Sequence, residues 1–285
     1  MNANLKDGNS REIVATTPGV PATDGDGVRM TRVIGSQDLN MLDPFLLLDA
    51  FESDQPQDYI GGFPSHPHRG FETVTYLLSG RMRHKDNAGN EGVIEPGGVQ
   101  WMTAGKGIIH SEMPEQENGL LMGFQLWVNL PAKAKMTAPE YQEYPPAETP
   151  LEVRDNGTEI RVIAGTTGEG TKGVVRNEYV RPTYLDVSLP PGQSFIQPLD
   201  RTDNTFLFVI DGELEVGRQH TALGKRMLGI LGPGERVEAR TSEGARFLLV
   251  SAQPLNEPVA RGGPFVMNTK EEIMQAFDDY QHNRF

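Results

Sequence analysis

The sequence predicts an all-β chain of two tandem barrels ending in one short helix. Four observations lead there. Short runs rich in β-branched and aromatic residues recur between glycine and proline turns. The chain's 32 glycines and 21 prolines are dispersed, which suits many tight turns better than one disordered tract. The second half echoes the turn pattern of the first. Near the end, Thr269-Lys270-Glu271-Glu272 has the capping-box pattern ahead of Ile273-Met274-Gln275-Ala276-Phe277.

Taken in order, residues 1–10 are polar and expected to be frayed. They lack the apolar core of a secretory signal. Residues 11–36 have a short, strand-like pattern. Asn40 to Asp49 reads as a loop entering a buried apolar segment, and Gly61-Gly62-Phe63-Pro64 as a turn. Phe71 to Leu78 has strand composition. Ser79-Gly80 turns into Arg81-Met82-Arg83-His84, and a second turn follows at Asp86 to Asn90. Val93 to Glu95, Val99 to Thr103 and Leu120 to Val128 continue the alternation. Regular short strands of this kind indicate a sandwich or barrel. Lys133 to Pro150 is proline-rich and polar, a linker or wrapping segment. Strands resume near Ile160, and a helix is expected from about Lys270 to Tyr280. The boundaries this implies are 1–132 for a first barrel, 133–158 for the linker and 159–285 for a second barrel ending in the helix.

Composition excludes several functions. A net charge of −13 and a pI near 4.9, with no Lys/Arg-rich run, disfavour direct nucleic-acid binding. The absence of cysteine removes disulfides, thiolate metal sites and a cysteine nucleophile. Apolar runs such as Phe45-Leu46-Leu47-Leu48 are too short to span a bilayer, so no membrane role and a cytoplasmic location are expected. No serine context suggests a hydrolase triad, and no glycine-rich loop precedes a helix.

The chemistry is concentrated in two short motifs. His66 and His68 stand two residues apart, as do His110 and Glu112. In a strand, residues i and i+2 face the same way. If the two strands are neighbours, three imidazoles and one carboxylate converge. Such a set suits iron, manganese, cobalt, nickel or zinc. With six-coordination, two positions stay open for reactants, which favours chemistry over a closed structural site. Glu72 is a rival carboxylate, since it has the parity of His66 and His68. Arg69 could meet an anionic substrate or a partner, against the plainer reading of a solvated or salt-bridged arginine. Trp101, Met102, Met122 and Phe124 could line an apolar mouth or simply fill the barrel core. His84, in a polar hairpin, reads as structural, and His220 and His282 as exposed.

The echo in the second half lacks this chemistry. Laying Phe195-Ile196-Gln197-Pro198-Leu199 over Pro64-Ser65-His66-Pro67-His68, and Gly232-Pro233-Gly234 over Glu95-Pro96-Gly97, puts Gln197, Leu199, Phe247 and Leu249 in the four ligand places. Leucine and phenylalanine cannot coordinate a metal, so the second barrel is expected to be a structural or partner-binding copy.

His66-Pro67-His68-Arg69-Gly70-Phe71-Glu72-Thr73-Val74, together with Gly107-Ile108-Ile109-His110-Ser111-Glu112, resembles the pirin family of the cupin superfamily. So do Gln100 to Gly105, Pro254 to Pro258 and Gly263 to Thr269. The resemblance runs from about Leu42 to the C-terminus. It implies two tandem cupin barrels of double-stranded β-helix (jelly-roll) form, with a metal in the first only. The metal ligands it implies are His66, His68, His110 and Glu112, leaving Glu72 as a supporting or reserve residue. It also implies one divalent metal, Fe(II) first, with Mn, Co, Ni or Zn accepted. The activity implied is opening of quercetin-type flavonols with O2, as in quercetin 2,3-dioxygenases, with Glu112 as the catalytic base. The small-molecule partners are then a flavonol-like aromatic and O2, and a monomer is expected. A second reading the family allows is an iron-dependent, redox-sensing protein that regulates a transcription or metabolic partner.

Overall fold

The computed structural model describes residues 9–285. The stretch 1–8, part of the segment expected to be frayed, lies outside it. Two compact units account for the chain. One comprises Gly19–Glu148 with Leu255–Phe285; the other comprises Thr149–Pro254 with the segment ending at Pro18. The units therefore exchange their terminal segments, where composition had pointed to a simple division at 133–158. That stretch is also not a bare linker. Glu140–Tyr144 pairs with Val99–Thr103 in the first unit, and Leu151–Val153 pairs with Glu159–Ala164 in the second.

Each unit is an antiparallel double-stranded β-helix. In the first, a seven-stranded sheet runs Glu140–Tyr144, Val99–Thr103, Phe71–Ser79, Leu121–Asn129, Phe45–Ser53, Val28–Ile34, Val20–Asp24. A four-stranded sheet runs Phe63–His68, Ile108–Pro114, Met82–Asp86, Glu91–Ile94. In the second unit, Asn204–Val216 is one long strand contributing pairs along its whole length. Its counterpart in the first unit is broken at Ser79 into Phe71–Ser79 and Met82–Asp86. Gly80, at φ +83°, follows that break in a conformation costly for other residues.

The second unit is filled by Phe195, Leu207, Val209, Val237, Phe247 and Leu249 among others, with the Phe195 and Phe247 rings edge to face at 5.5 Å. Its interior is apolar. The first unit keeps a polar interior, with Thr73, Thr75, His84, Asp86, His110 and Glu112 all buried. Phe71–Ser79 shows how the strand partitions its faces. Gln100 and Gln125 stand opposite Thr75, and Met102 and Trp127 opposite Thr73, so these share the Thr73/Thr75 face. Trp101 and Leu126 stand opposite Val74 on the other face.

The expected helix spans Lys270–Gln281. Thr269 accepts from the backbone N–H of Glu272, whose carboxylate accepts from the Thr269 N–H in return. Phe265, Met267, Ile273 and Ala276 hold it within the first unit. Among the described residues, no helix is long and apolar enough to cross a membrane.

Candidate metal centre

The two motif strands are antiparallel neighbours, with His110 directly opposite His66. This brings His66, His68 and His110 together, with candidate ligand atoms all within 4.8 Å of one another. The ring centroids lie 4.4 to 4.9 Å apart.

Hydrogen bonds set which nitrogen each ring turns inward. His66 Nδ1 lies 2.8 Å from the Pro64 carbonyl, and His68 Nδ1 lies 3.4 Å from the Pro264 carbonyl. A carbonyl only accepts, so each Nδ1 carries the proton and each Nε2 presents a lone pair. The two Nε2 atoms stand 3.0 Å apart. The buried Nε2 of His110 has no hydrogen-bond partner in the protein. Converging bare nitrogens of this kind fit a cation. Burial first, and then the neighbouring His66, lowers the His68 pKa to about 3; burial, then His68, His66 and His84, lowers that of His110. Both rings are thus neutral, the form that binds metal.

Glu112 is buried on the same strand face as His110 but is not part of the three-imidazole group. Its Oε1 accepts from Thr75 Oγ1 at 2.7 Å, and its Oε2 from Gln125 Nε2 at 2.6 Å. Glu72 is not with the histidines. Gly70, at φ +89°, turns the chain between Phe63–His68 and Phe71–Ser79, which lie in different sheets. Counting parity through that turn fails, and Glu72 instead accepts from Thr103 Oγ1 at 2.8 Å.

Arg69 follows the salt-bridged reading. It is buried, donates to Asp279 Oδ2 at 2.7 Å and to the Lys106 carbonyl at 2.5 Å, and lies over the Phe285 ring at 4.4 Å. His84 is fully buried beside His110, a residue that sequence reasoning left as merely structural. The missed signal is its spacing, since His84 and Asp86 form a third i, i+2 pair. His220 and His282 are exposed, as expected.

A cavity of about 750 Å³ opens onto His66 and His68. Its walls include Leu47, Phe63, Pro64, Gln125, Trp127 and Pro264. Trp101 and Phe124 are core residues and do not line it, nor do Met102 and Met122. Phe63 and Trp127 are the aromatic residues of the wall, and the Trp127 ring lies 5.1 Å from His68. Arg32, also on the wall, is engaged bidentately by Asp49 at 2.9 and 2.8 Å and by Asp24 at 2.9 Å. These bonds, that to Asp49 foremost, hold the guanidinium charged.

In the second unit, Phe247 and Leu249 lie on Ala245–Ala252, which pairs with Thr183–Leu189 and Asn204–Val216. That strand corresponds to Leu121–Asn129. The counterpart of the His110 strand is Arg236–Arg240, where Val237 stands opposite Gln197. The sequence overlay was therefore one strand out in its last two positions. Among the described residues, the three-histidine cluster is in the first unit alone.

A pirin-like protein of Caulobacter vibrioides is 52% identical over 275 residues, covering 96% of this chain and 99% of its own length. The family profile for Pirin matches residues 27–128, and that for the pirin C-terminal cupin domain matches 184–285. The chain belongs to the pirin family. Human pirin is 42% identical over 282 residues, covering 96% of this chain and 94% of its own. A crystal structure of quercetin 2,3-dioxygenase from Acinetobacter baumannii superposes with a TM-score of 0.88 at 35% identity, covering 97% and 98% of the two chains. This pirin is thus a bicupin whose first barrel carries a cluster suited to one metal ion.

Proposed function

We propose that this pirin is a metal-dependent dioxygenase that opens quercetin-type flavonols with O2, acting as a cytoplasmic monomer. The observation that carries the reading is the cluster of His66, His68 and His110, two of which, His66 and His68, line a cavity walled by Trp127. The proposed ligands are these three imidazoles and Glu112, and the proposed ion is Fe(II). When bound, such an ion supplies Lewis-acid polarisation of a substrate oxygen and open positions for reactants.

The protein's own part follows from the cavity. Its volume suits a flavonol-sized ligand. Of the two arginines on its wall, Arg32 is committed to Asp24 and Asp49, and Arg261 donates to the Leu46 carbonyl at 2.9 Å. Asp24 and Asp26 line the same cavity and supply acceptors for phenolic hydroxyls. Trp127 offers a flat face to orient the aromatic rings. Glu112 accepts the 3-hydroxyl proton as general base, while Gln125, bonded to Oε2 and facing the cavity, steers that carboxylate.

A comparison of aerobic and anaerobic quercetin turnover by Fe(II)-loaded protein, with carbon monoxide detection, tests the reading. It requires oxygen-dependent loss of quercetin that disappears in His66→Ala. Equal loss in that variant, or none aerobically, would sink it. For the redox-sensing alternative, the Arg69 side chain is not an exposed partner contact, being buried against Asp279 and Phe285.

A further inference from the structure

We propose that His84 and Asp86 are positioning residues for the metal ion, selecting the tautomer in which His110 turns a lone pair toward the cluster. The proposal rests on the metal reading above. His66 and His68 need no such help, because backbone carbonyls fix their tautomers. His110 is different. Its Nδ1 faces another imidazole nitrogen, Nδ1 of His84, at 3.4 Å. An imidazole nitrogen can donate or accept, so this contact alone permits two arrangements. In one of them, His110 carries its proton on Nε2 and cannot bind a metal there.

Asp86 decides between them. Its Oδ2 lies 3.1 Å from His84 Nε2. A carboxylate only accepts, so His84 carries its proton on Nε2 and leaves Nδ1 bare. His110 must then donate from Nδ1, and its Nε2 is left as a lone pair. The chain of donation runs one way, from His110 to His84 to Asp86. The strand register builds it, since Asp86 stands opposite His110 and His84 opposite Glu112.

Both residues are held in place. Asp86 Oδ1 accepts from the Ala88 and Asn90 backbone N–H groups at 2.9 Å each, and Oδ2 from Asn90 Nδ2 at 2.9 Å. The His84 ring stacks on Tyr141, with centroids 4.8 Å apart and planes at 30°. The side chains of His84 and Asp86 are both wholly buried. A tethered, charge-backed imidazole is a better and better-aimed donor to a metal than a free one.

Two measurements on the full chain test this. Nitrogen-15 NMR of histidine-labelled, Zn(II)-loaded protein reads the tautomers directly. The expected result is His84 protonated on Nε2 and His110 on Nδ1; His84 protonated on Nδ1 would overturn the proposal. Co(II) titration then compares wild type with Asp86→Asn and His84→Phe. In Asp86→Asn, the amide NH2 in the place of Oδ2 donates to His84 Nε2 and reverses the chain, putting a proton on His110 Nε2. In His84→Phe the ring against Tyr141 is kept and the acceptor is lost. Each variant should bind Co(II) about 10–100-fold more weakly. Unchanged affinity in both would overturn the proposal while leaving the metal reading intact. Absence of Co(II) binding by wild type would overturn the two together. If a variant fails to fold, the wild-type tautomers still decide.

Discussion

His66 and His68 hold their Nε2 atoms 3.0 Å apart while both Nδ1 atoms are tied to backbone carbonyls. Two lone pairs so placed repel each other, and a shared cation turns that repulsion into attraction. Metal should therefore stabilise the fold. At a free metal concentration 100 times Kd, the gain is about 2.7 kcal/mol, or roughly 5–10 °C in Tm. Calorimetry with and without Co(II) or a chelator measures it, and His68→Ala should abolish the difference.

Glu112→Gln removes the proposed base, and the metal content of the variant, measured alongside, separates that loss from the loss of a ligand. The amide can still occupy the space between Thr75 and Gln125 but cannot take a proton. Quercetin turnover by metal-loaded protein should fall by about 10²–10⁴ in kcat. A kcat within a factor of a few of wild type would remove Glu112 from that role.

Trp127 and Trp101 separate cavity from core. Trp127 lines the cavity, and Trp101 lies on the opposite face of the sheet. Trp127→Leu should weaken flavonol binding by about 1–3 kcal/mol, read as quenching of protein fluorescence by quercetin. Trp101→Phe should lower Tm and leave that binding unchanged.

Asp279 predicts a pH dependence. Its carboxyl is held at about 2, chiefly by the hydrogen bond from Arg69, against an ordinary value of 3.8. A depressed folded-state pKa gives stability that is complete above the unfolded value and is lost as pH falls through the folded one. Asp279→Asn should therefore be less stable than wild type at pH 5 to 7. The gap should narrow from about pH 4 and close near pH 2, as followed by urea unfolding at each pH.

Lys135 is the cation that sequence reading placed in a linker. It is buried, and its Nζ donates to the Gly70 carbonyl at 2.8 Å, Asn129 Oδ1 at 2.7 Å and the Val266 carbonyl at 2.9 Å. Lys135→Met would leave three buried acceptors unpaired, at about 1–3 kcal/mol each. The expected loss is about 3 kcal/mol or more, measurable as a lower urea midpoint. Val266 lies two residues beyond Pro264, the tether of His68, so metal affinity should fall as well.

The histidine cluster was legible because each pair lies within a single strand, where side-chain direction follows from counting. The capping box around Thr269 was legible for the same local reason, and the helix begins where it predicts. Glu72 was misjudged because the count crossed Gly70, where the chain changes sheet and parity loses meaning. Trp127 was not singled out, and Trp101 was left between mouth and core, because composition cannot say which face of a strand looks inward. Only the register against Thr73 and Thr75 does that.

The sequence by itself determined the all-β class, the pirin resemblance and the three imidazoles, all of which depend on residues close together in the chain. Tertiary structure alone decided the rest. It assigned the Leu255–Phe285 segment to the first barrel, so that Pro264 orients His68 and Asp279 holds Arg69. It put Glu112 between Thr75 and Gln125, and His84 between His110 and Asp86. Those contacts join residues far apart in sequence, and their geometry is set by strand register and sheet closure, which no local pattern encodes.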